Sequence, residues 1–184
     1  ILGRWPWRRD YLALLTERVF ELGAVNVGFD IFFPEPQTDY PKADVIFHEV
    51  LKKHLGQVTL AWFEDEARGR HENIPLFSKS VSAQGFVNQQ KDSDGAFRQT
   101  DYYLSPAEPS LALAVIAQRL KVATSELVTQ NSSPINFMGP AATFPTYSAI
   151  DILQTEDSKK LAQVSLKGKT VLIGVTATGA GDVQ

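Results

Sequence analysis

Short apolar segments alternate along this chain with longer segments whose apolar residues recur at helical spacing. The short segments predict strands at residues 24–29, 57–63 and 170–175. Helices are predicted at residues 10–22 and 41–55 by the longer ones. Strands that alternate with helices form layered α/β domains, because the helices cover the faces of a parallel sheet. We therefore predict a single domain over residues 1–184. Its fold class is α/β, with a mixed, largely parallel sheet flanked by helices and one β-hairpin insertion.

The predicted hairpin follows from a turn dipeptide in the middle of the chain. Asp94 and Gly95 form an Asp-Gly pair, which favours a tight hairpin turn. Residues 84–88 are predicted as a strand before this turn, and residues 96–104 as the return strand. Polar residues 64–73 predict a mobile loop.

Three apolar segments predict a further strand, a further helix and a strand that is buried within the sheet. Residues 135–138 predict a further strand. Residues 109–120 predict an apolar helix that is buried on most sides. The Val-Leu-Ile run at 171–173 is typical of a strand that is covered on both faces.

Charge and composition narrow the functional classes. The net charge of -3 argues against the basic face that phosphate binding needs, so we expect no nucleic-acid partner. The chain has no cysteine, which excludes disulfides and thiolate metal sites. Its longest apolar run, residues 111–117, is far shorter than the roughly 20 residues of a membrane-spanning helix. Because the sequence opens at Ile1 without a Met, we expect it to be a fragment of a longer protein.

No established catalytic or cofactor motif is complete. His48 lacks a second histidine four positions later, where Lys52 stands, so a zinc-protease helix is not predicted. A Gly-Lys-Thr triplet at 168–170 precedes a predicted strand instead of opening a helix, unlike a phosphate-binding loop. Gln90 and Asp101 stand where a calcium loop needs Asp and Glu. We therefore expect no catalytic residues, no metal and no cofactor.

Four charged residues are candidates for binding a small polar ligand. Asp30 and Asp182 both follow predicted strands, and Glu35 lies in the connection after Asp30. If the two strands are parallel neighbours, their ends meet at the sheet edge where α/β domains bind ligands. Arg98 offers a guanidinium for a carboxylate or phosphate. The alternative is that these charges form structural ion pairs or caps.

The aromatic N-terminus allows two interpretations. Trp5 and Trp7 flank Pro6, and they either rest at a membrane interface or close the base of the core. We favour the core, because the proline stiffens the pair against the first helix. Arg8 and Arg9 precede that helix, where its dipole disfavours cations. Solvation of both is favoured over contact with lipid headgroups.

Several short motifs occur in a specific order along nearly the whole chain. They are Gly3-Arg4-Trp5-Pro6-Trp7, Gly28-Phe29-Asp30-Ile31-Phe32-Phe33-x-Glu35-Pro36, Gly85-Phe86-Val87-Asn88, Asp94-Gly95-x-x-Arg98, Pro109-Ser110-Leu111-Ala112, Ile135-Asn136-Phe137-x-Gly139, Phe144-Pro145-x-x-Ser148-x-x-Asp151 and Gly168-Lys169-x-Val171-Leu172-Ile173-Gly174. In this order they resemble the second type of CHASE domain, the extracellular sensory domain associated with cyclases and histidine kinases. Arg8 departs from the pattern, since a second proline is common there.

The resemblance implies a role in signalling. It implies a periplasmic or extracellular domain of a bacterial inner-membrane protein, attached to the membrane through flanking helices. A cytoplasmic output domain is expected beyond them: a nucleotide cyclase, a histidine or Ser/Thr kinase, or a diguanylate cyclase. The ligand of the family is undefined, and we expect a small polar molecule and a homodimer in the full-length receptor. Two alternatives remain, an extracytoplasmic enzyme that uses carboxylates at the sheet edge and a ligand-free dimerisation module.

Overall fold

The computed structural model describes residues 5–65, 67, 69–140, 143–154 and 164–176. In chain order the elements are α1 (Arg9–Glu21), β1 (Asn26–Asp30), α2 (Lys42–Lys53), β2 (Val58–Asp65), β3 (Gly69–His71), α3 (Pro75–Ser78), β4 (Ala83–Phe86), β5 (Gln99–Asp101), β6 (Tyr103–Ser105), β7 (Glu108–Pro109), α4 (Leu111–Leu120), a 3₁₀ turn (Thr124–Glu126), β8 (Ser132–Pro134), α5 (Ala149–Gln154) and β9 (Thr170–Gly174).

The central sheet is mixed and largely parallel. Strands β4, β2, β1 and β9 lie side by side in that order and run parallel. Strand β3 folds back on the end of β2, so that Gly69 pairs with Asp65 in an antiparallel hairpin. Two small antiparallel sheets, β5–β8 and β6–β7, lie outside the central one. This arrangement confirms the predicted fold class, and the antiparallel insertion in the main sheet is the β2–β3 hairpin.

One face of the sheet packs against α1 and α2 and forms the main core. Because successive strand residues point to opposite faces, Val27 and Phe29 of β1 point to the same side, and both are fully buried. Phe29 meets Phe47 of α2 edge to face, with ring centroids 5.6 Å apart. Leu12 and Leu15 of α1 join the same cluster. The helical spacing of apolar residues thus places two helices over one face.

The opposite face is covered by α4, which approaches the sheet closely over two glycines. A Cβ on Gly28 would lie 2.7 Å from Cγ2 of Val115, and a Cβ on Gly85 would overlap the backbone of Leu111. The helix begins at Ser110, whose hydroxyl oxygen accepts a hydrogen bond from the Leu113 N–H at 3.3 Å. The glycines therefore set how near this helix can lie to β1 and β4.

Two predictions of burial were wrong, that the helix at 109–120 is buried on most sides and that the strand at 171–173 is covered on both faces. In α4, Ile116 and Leu120 are exposed, because the helix packs on one side only, over β4, β1 and β2. In β9, Leu172 is 67% exposed. This strand pairs only with β1 among the described strands, and α4 lies over the other three parallel strands.

The predicted pairing around the Asp94–Gly95 turn and the predicted loop at residues 64–73 both need correction. The Asp94–Gly95 turn forms, with the Gly95 N–H donating to the Asp92 carbonyl at 2.8 Å. The strand after it, β5, pairs with β8 and not with β4. A bridge from Phe86 to Ser110 occupies β4 instead. The predicted loop at residues 64–73 contains β3.

The predicted strand at residues 135–138 is absent, and β8 lies just before it. All three residues of β8 pair with the three residues of β5. One further hydrogen bond runs from the Ile135 N–H to the Arg98 carbonyl at 2.8 Å. Beyond it, Phe137 and Met138 are exposed.

The N-terminal aromatic residues belong to the core, as favoured by the sequence. Trp5 and Trp7 pack against the main cluster, with ring centroids 6.0 Å apart. Solvation of Arg9 was a wrong prediction, since its side chain is only 14% exposed. Arg9 lies 3.6 Å from the Asp44 carboxylate, and its backbone N–H donates to Gln37 Oε1 at 2.9 Å. These partners come from distant positions, which sequence neighbours do not reveal.

Candidate functional site

The parallel strands end at one edge of the sheet, here called the carboxyl edge. Strands β1 and β9 are parallel neighbours with Asp30 opposite Gly174, as the predicted ligand site requires. Asp30 is exposed, and its Cβ would lie 3.6 Å from a Cβ built on Gly174. Asp182 lies outside the described residues. Asp30 thus occupies the predicted position, and its role in binding stays a prediction.

Glu35 lies in the connection that follows β1. This connection is hydrogen-bonded to residues of α1 and α2. The backbone carbonyl of Glu35 accepts a hydrogen bond from Arg9 Nη2 at 3.1 Å. Two residues later, the Gln37 N–H donates to Asp44 Oδ2 at 2.8 Å. The Glu35 side chain is exposed. The connection is therefore held in place while this carboxylate faces solvent.

Arg98 is engaged within its own loop. Its Nη1 donates to Asp92 Oδ2 at 2.7 Å and to Asp94 Oδ1 at 2.8 Å, and Nη2 donates to Asp94 Oδ2 at 2.7 Å. Hydrogen bonding to Asp94 and Asp92 raises the pKa of Arg98, and the same guanidinium lowers the pKa of Asp94. Among the described residues, the ion pairs of Arg98 are confined to these two aspartates. The structure therefore does not join Arg98 to Asp30 or Glu35.

A cavity of about 300 Å³ lies between the β2–β3 hairpin, α3, β4 and the β6–β7 hairpin. We call it the Arg70 cavity. Its lining residues are Trp62, Arg70, Glu72, Ser78, Gln84, Ala107, Glu108 and Pro109. Most of these side chains are polar or charged, and they come from widely separated parts of the chain.

Arg70 is held in this cavity from three sides. Its Cζ lies 3.7 Å from the ring centroid of Trp62, a cation–π contact with an indole that is only 4% exposed. Its Nη1 donates to Glu108 Oε1, and its Nε lies 2.9 Å from Glu72 Oε1. Hydrogen bonds from Ser105 and from Arg70 lower the pKa of Glu108. The guanidinium is thereby positioned without any ligand.

The amide of Gln84 is oriented by a buried asparagine. Asn73 accepts a hydrogen bond from the Phe33 N–H at 2.9 Å through Oδ1, so its Nδ2 must donate. That nitrogen donates to the Ala61 carbonyl at 2.8 Å and to Gln84 Oε1 at 2.9 Å. Gln84 therefore turns its oxygen towards Asn73 and keeps its Nε2 as a donor for the cavity.

Comparison with protein families identifies the chain. Its sequence matches the family model of the CHASE2 domain over residues 1–184, the whole chain. The chain belongs to the CHASE2 family. CHASE2 domains are extracellular or periplasmic sensory domains of signalling receptors and are not catalytic. No curated protein and no solved structure matches the chain.

The described part of this CHASE2 domain contains no helix long and apolar enough to cross a membrane. In the same residues, no group of three His, Asp or Glu side chains is placed to hold a metal ion. The described residues thus offer two candidate ligand sites, the carboxyl edge with Asp30 and the Arg70 cavity.

Sequence reasoning missed the Arg70 cavity of the CHASE2 domain, because residues 64–73 were predicted as a loop. A signal was present in the hairpin itself. Gly69 has a φ of 78°, a conformation that favours glycine, and it begins β3 by pairing with Asp65 at the turn of the hairpin. Trp62, a large aromatic residue next to Phe63 in the predicted strand at 57–63, was a second signal. Neither signal identifies Glu108 or Gln84, which reach the cavity through the fold.

Proposed function

We propose that this CHASE2 domain is the input domain of a bacterial inner-membrane receptor and lies on the periplasmic side. In this proposal, flanking membrane helices connect it to a cytoplasmic nucleotide cyclase, histidine or Ser/Thr kinase, or diguanylate cyclase. The observation that carries the proposal is the family match over residues 1–184. The domain itself senses, and turnover belongs to the output domain.

The packing of the first and last described segments supports a role in transmission. Trp5 and Trp7 pack against the main core, and β9 pairs along its whole length with β1. Both segments are therefore attached to the same layer of the domain. A ligand that prefers one of two arrangements of this layer shifts their equilibrium by its difference in affinity. Both segments would carry that shift towards the membrane helices.

The stimulus in this proposal is a small polar ligand. Asp30 and Glu35 remain candidates for contacting it, because both are exposed at or after the end of β1. Arg98 is better interpreted as the residue that holds its loop, since its guanidinium is engaged by Asp92 and Asp94.

An uncharged surface supports the proposal of a homodimer in the full-length receptor. Residues 127–150 contain no charged side chain. Within them, Phe137, Met138 and Phe144 are 68%, 68% and 69% exposed. A twofold interface places the same patch on both subunits, so a charged patch would face its own charge. An exposed, apolar and uncharged patch avoids that repulsion.

Disulfide crosslinking tests the homodimer, because the domain has no cysteine of its own. Met138→Cys is placed in the full-length receptor in membranes, with any cysteine outside this domain replaced by serine. We expect a crosslinked dimer under mild oxidation. The control is Phe97→Cys, which is exposed but lies outside the uncharged segment. Equal crosslinking of both variants, or none, would contradict a dimer through residues 127–150.

The location and the role are tested in the full-length receptor. Alkaline phosphatase fused directly after residue 184 should be active, because this reporter folds only outside the cytoplasm. Deleting the domain while keeping the membrane helices should change the basal output of the cytoplasmic domain. An inactive fusion together with an active cytoplasmic reporter at the same position would overturn the proposal.

A further inference from the structure

The Arg70 cavity contains several hydrogen-bond donors, but few acceptors, that have no partner among the described residues. Arg70 Nη2, Gln84 Nε2 and Trp62 Nε1 donate to no described residue. In contrast, Glu108 uses both carboxylate oxygens, one for Arg70 and one for the Ser105 hydroxyl at 2.7 Å. A molecule that fills the cavity must therefore bring acceptor oxygens.

The charges of the cavity exclude a simple anion. Arg70 faces two carboxylates, Glu72 and Glu108, so these three side chains sum to one negative charge. A lone anion would be repelled, and a lone cation would leave the spare donors unmatched. The face of Trp62 is already occupied by the Arg70 guanidinium, which removes the surface on which a sugar ring would stack. A ligand with a carboxylate and an ammonium group meets all three conditions.

We propose that the Arg70 cavity binds a small zwitterionic amino acid. Its carboxylate accepts hydrogen bonds from Arg70 and Gln84, and its ammonium group lies against Glu72. The Glu72 side chain is 64% exposed, and its second oxygen accepts from no described residue. The volume of about 300 Å³ stands at the lower end of ligand pockets, so the amino-acid side chain is small. This inference rests on the proposed sensory function for its biological meaning but not for the binding itself.

Gln84→Glu is the most informative variant of this site. It keeps the size of the side chain and an oxygen that accepts from Asn73, so the fold and the melting temperature should be retained. It removes the amide donor and adds a negative charge where the ligand carboxylate lies. The control is Gln99→Glu, which makes the same change at an exposed position of β5.

The experiment is calorimetric titration of the 184-residue chain with each standard L-amino acid. We expect at least one small amino acid to bind, Gln84→Glu to weaken it by about 10-fold to 100-fold, and Gln99→Glu to leave it unchanged. The decarboxylated amine and the N-acetyl derivative of that amino acid should both lose binding.

Three results would overturn the inference. They are no binding of any amino acid at millimolar concentration, equal binding by wild type and Gln84→Glu, and undiminished binding of the amine or N-acetyl derivative. Binding to the isolated chain is measured without the receptor. A failed titration therefore leaves the proposed sensory function standing, and a failed topology test leaves the binding result standing.

Discussion

Arg70 and Arg98 are both held by two carboxylates, but the two arrangements differ in reach and in environment. Arg98 pairs with Asp92 and Asp94, which lie within six residues of it, and its side chain is 57% exposed. Arg70 lies over Trp62 and pairs with Glu108, 38 residues away, and its side chain is 37% exposed. The first arrangement shapes one loop, and the second joins two hairpins around a cavity.

The comparison shows that charge alone does not indicate a ligand site. The partners of Arg98 engage both of its terminal nitrogens through three hydrogen bonds, which hold the loop together. The partners of Arg70 fix its position and leave a terminal nitrogen for the cavity. Exposed ion pairs also contribute little to stability, whereas a cation over a buried aromatic ring contributes more.

The largest difference in the free energy of unfolding is expected when the aromatic residues near the two arginines are replaced. Trp62→Ala should lower the free energy of unfolding by about 3–5 kcal/mol, because it removes a large buried side chain and leaves a cavity. Phe97, beside Arg98 in sequence, is 39% exposed, and Phe97→Ala should cost about 0.5 kcal/mol or less. Urea denaturation measures both. Similar losses in the two variants would show that the Arg70 region is no better packed than the Arg98 loop.

A smaller difference is expected for the arginines themselves. Arg70→Ala should destabilise the domain by about 0.5–1 kcal/mol, the value of a partly exposed cation–π contact. Arg98→Ala should have a lesser effect that disappears in high salt, since its ion pairs are solvated and screened. Denaturation in low and high salt checks this order. A larger loss of stability in Arg98→Ala than in Arg70→Ala, if it persists in high salt, would contradict this order.

The smallest effect concerns the carboxyl groups of Asp94 and Glu108, whose pKa values are both lowered. Each therefore adds stability above the ordinary carboxyl pKa of about 4, and this stability is lost as pH falls through the lowered pKa. NMR titration should show that Arg98→Ala raises the pKa of Asp94 most of the way back to the ordinary value of an aspartate. Arg70→Ala should return the pKa of Glu108 only in part, because the Ser105 hydrogen bond remains. Full recovery in Glu108 would contradict the role of Ser105.

Local patterns were enough to predict the helices α1, α2 and α4 and the parallel strands of this domain. The helix α2 and strand β2 follow from periodicity within a few residues of each position. The Asp94–Gly95 turn is equally local, and it forms. The partner of the strand after it depends on residues 132–134, and no local signal specifies that register.

Of the two candidate sites, one could be predicted from local sequence and the other could not. Asp30 could be placed at the carboxyl edge from its position at the end of one strand, and β1 and β9 are neighbours as required. Gln84 could not be recognised, because its donor is defined by Asn73, and Asn73 is oriented by the distant Phe33 N–H. Chains of hydrogen bonds between separate segments exist only in the folded domain.

Amino-acid binding in the Arg70 cavity is tested by an NMR titration of the isotope-labelled 184-residue chain with a mixture of the standard L-amino acids. We expect the indole N–H of Trp62 and the side-chain amide of Gln84 to shift, while the amides of residues 92–98 stay in place. Shifts confined to residues 92–98, or to the neighbourhood of Asp30, would contradict the proposed amino-acid site in the Arg70 cavity.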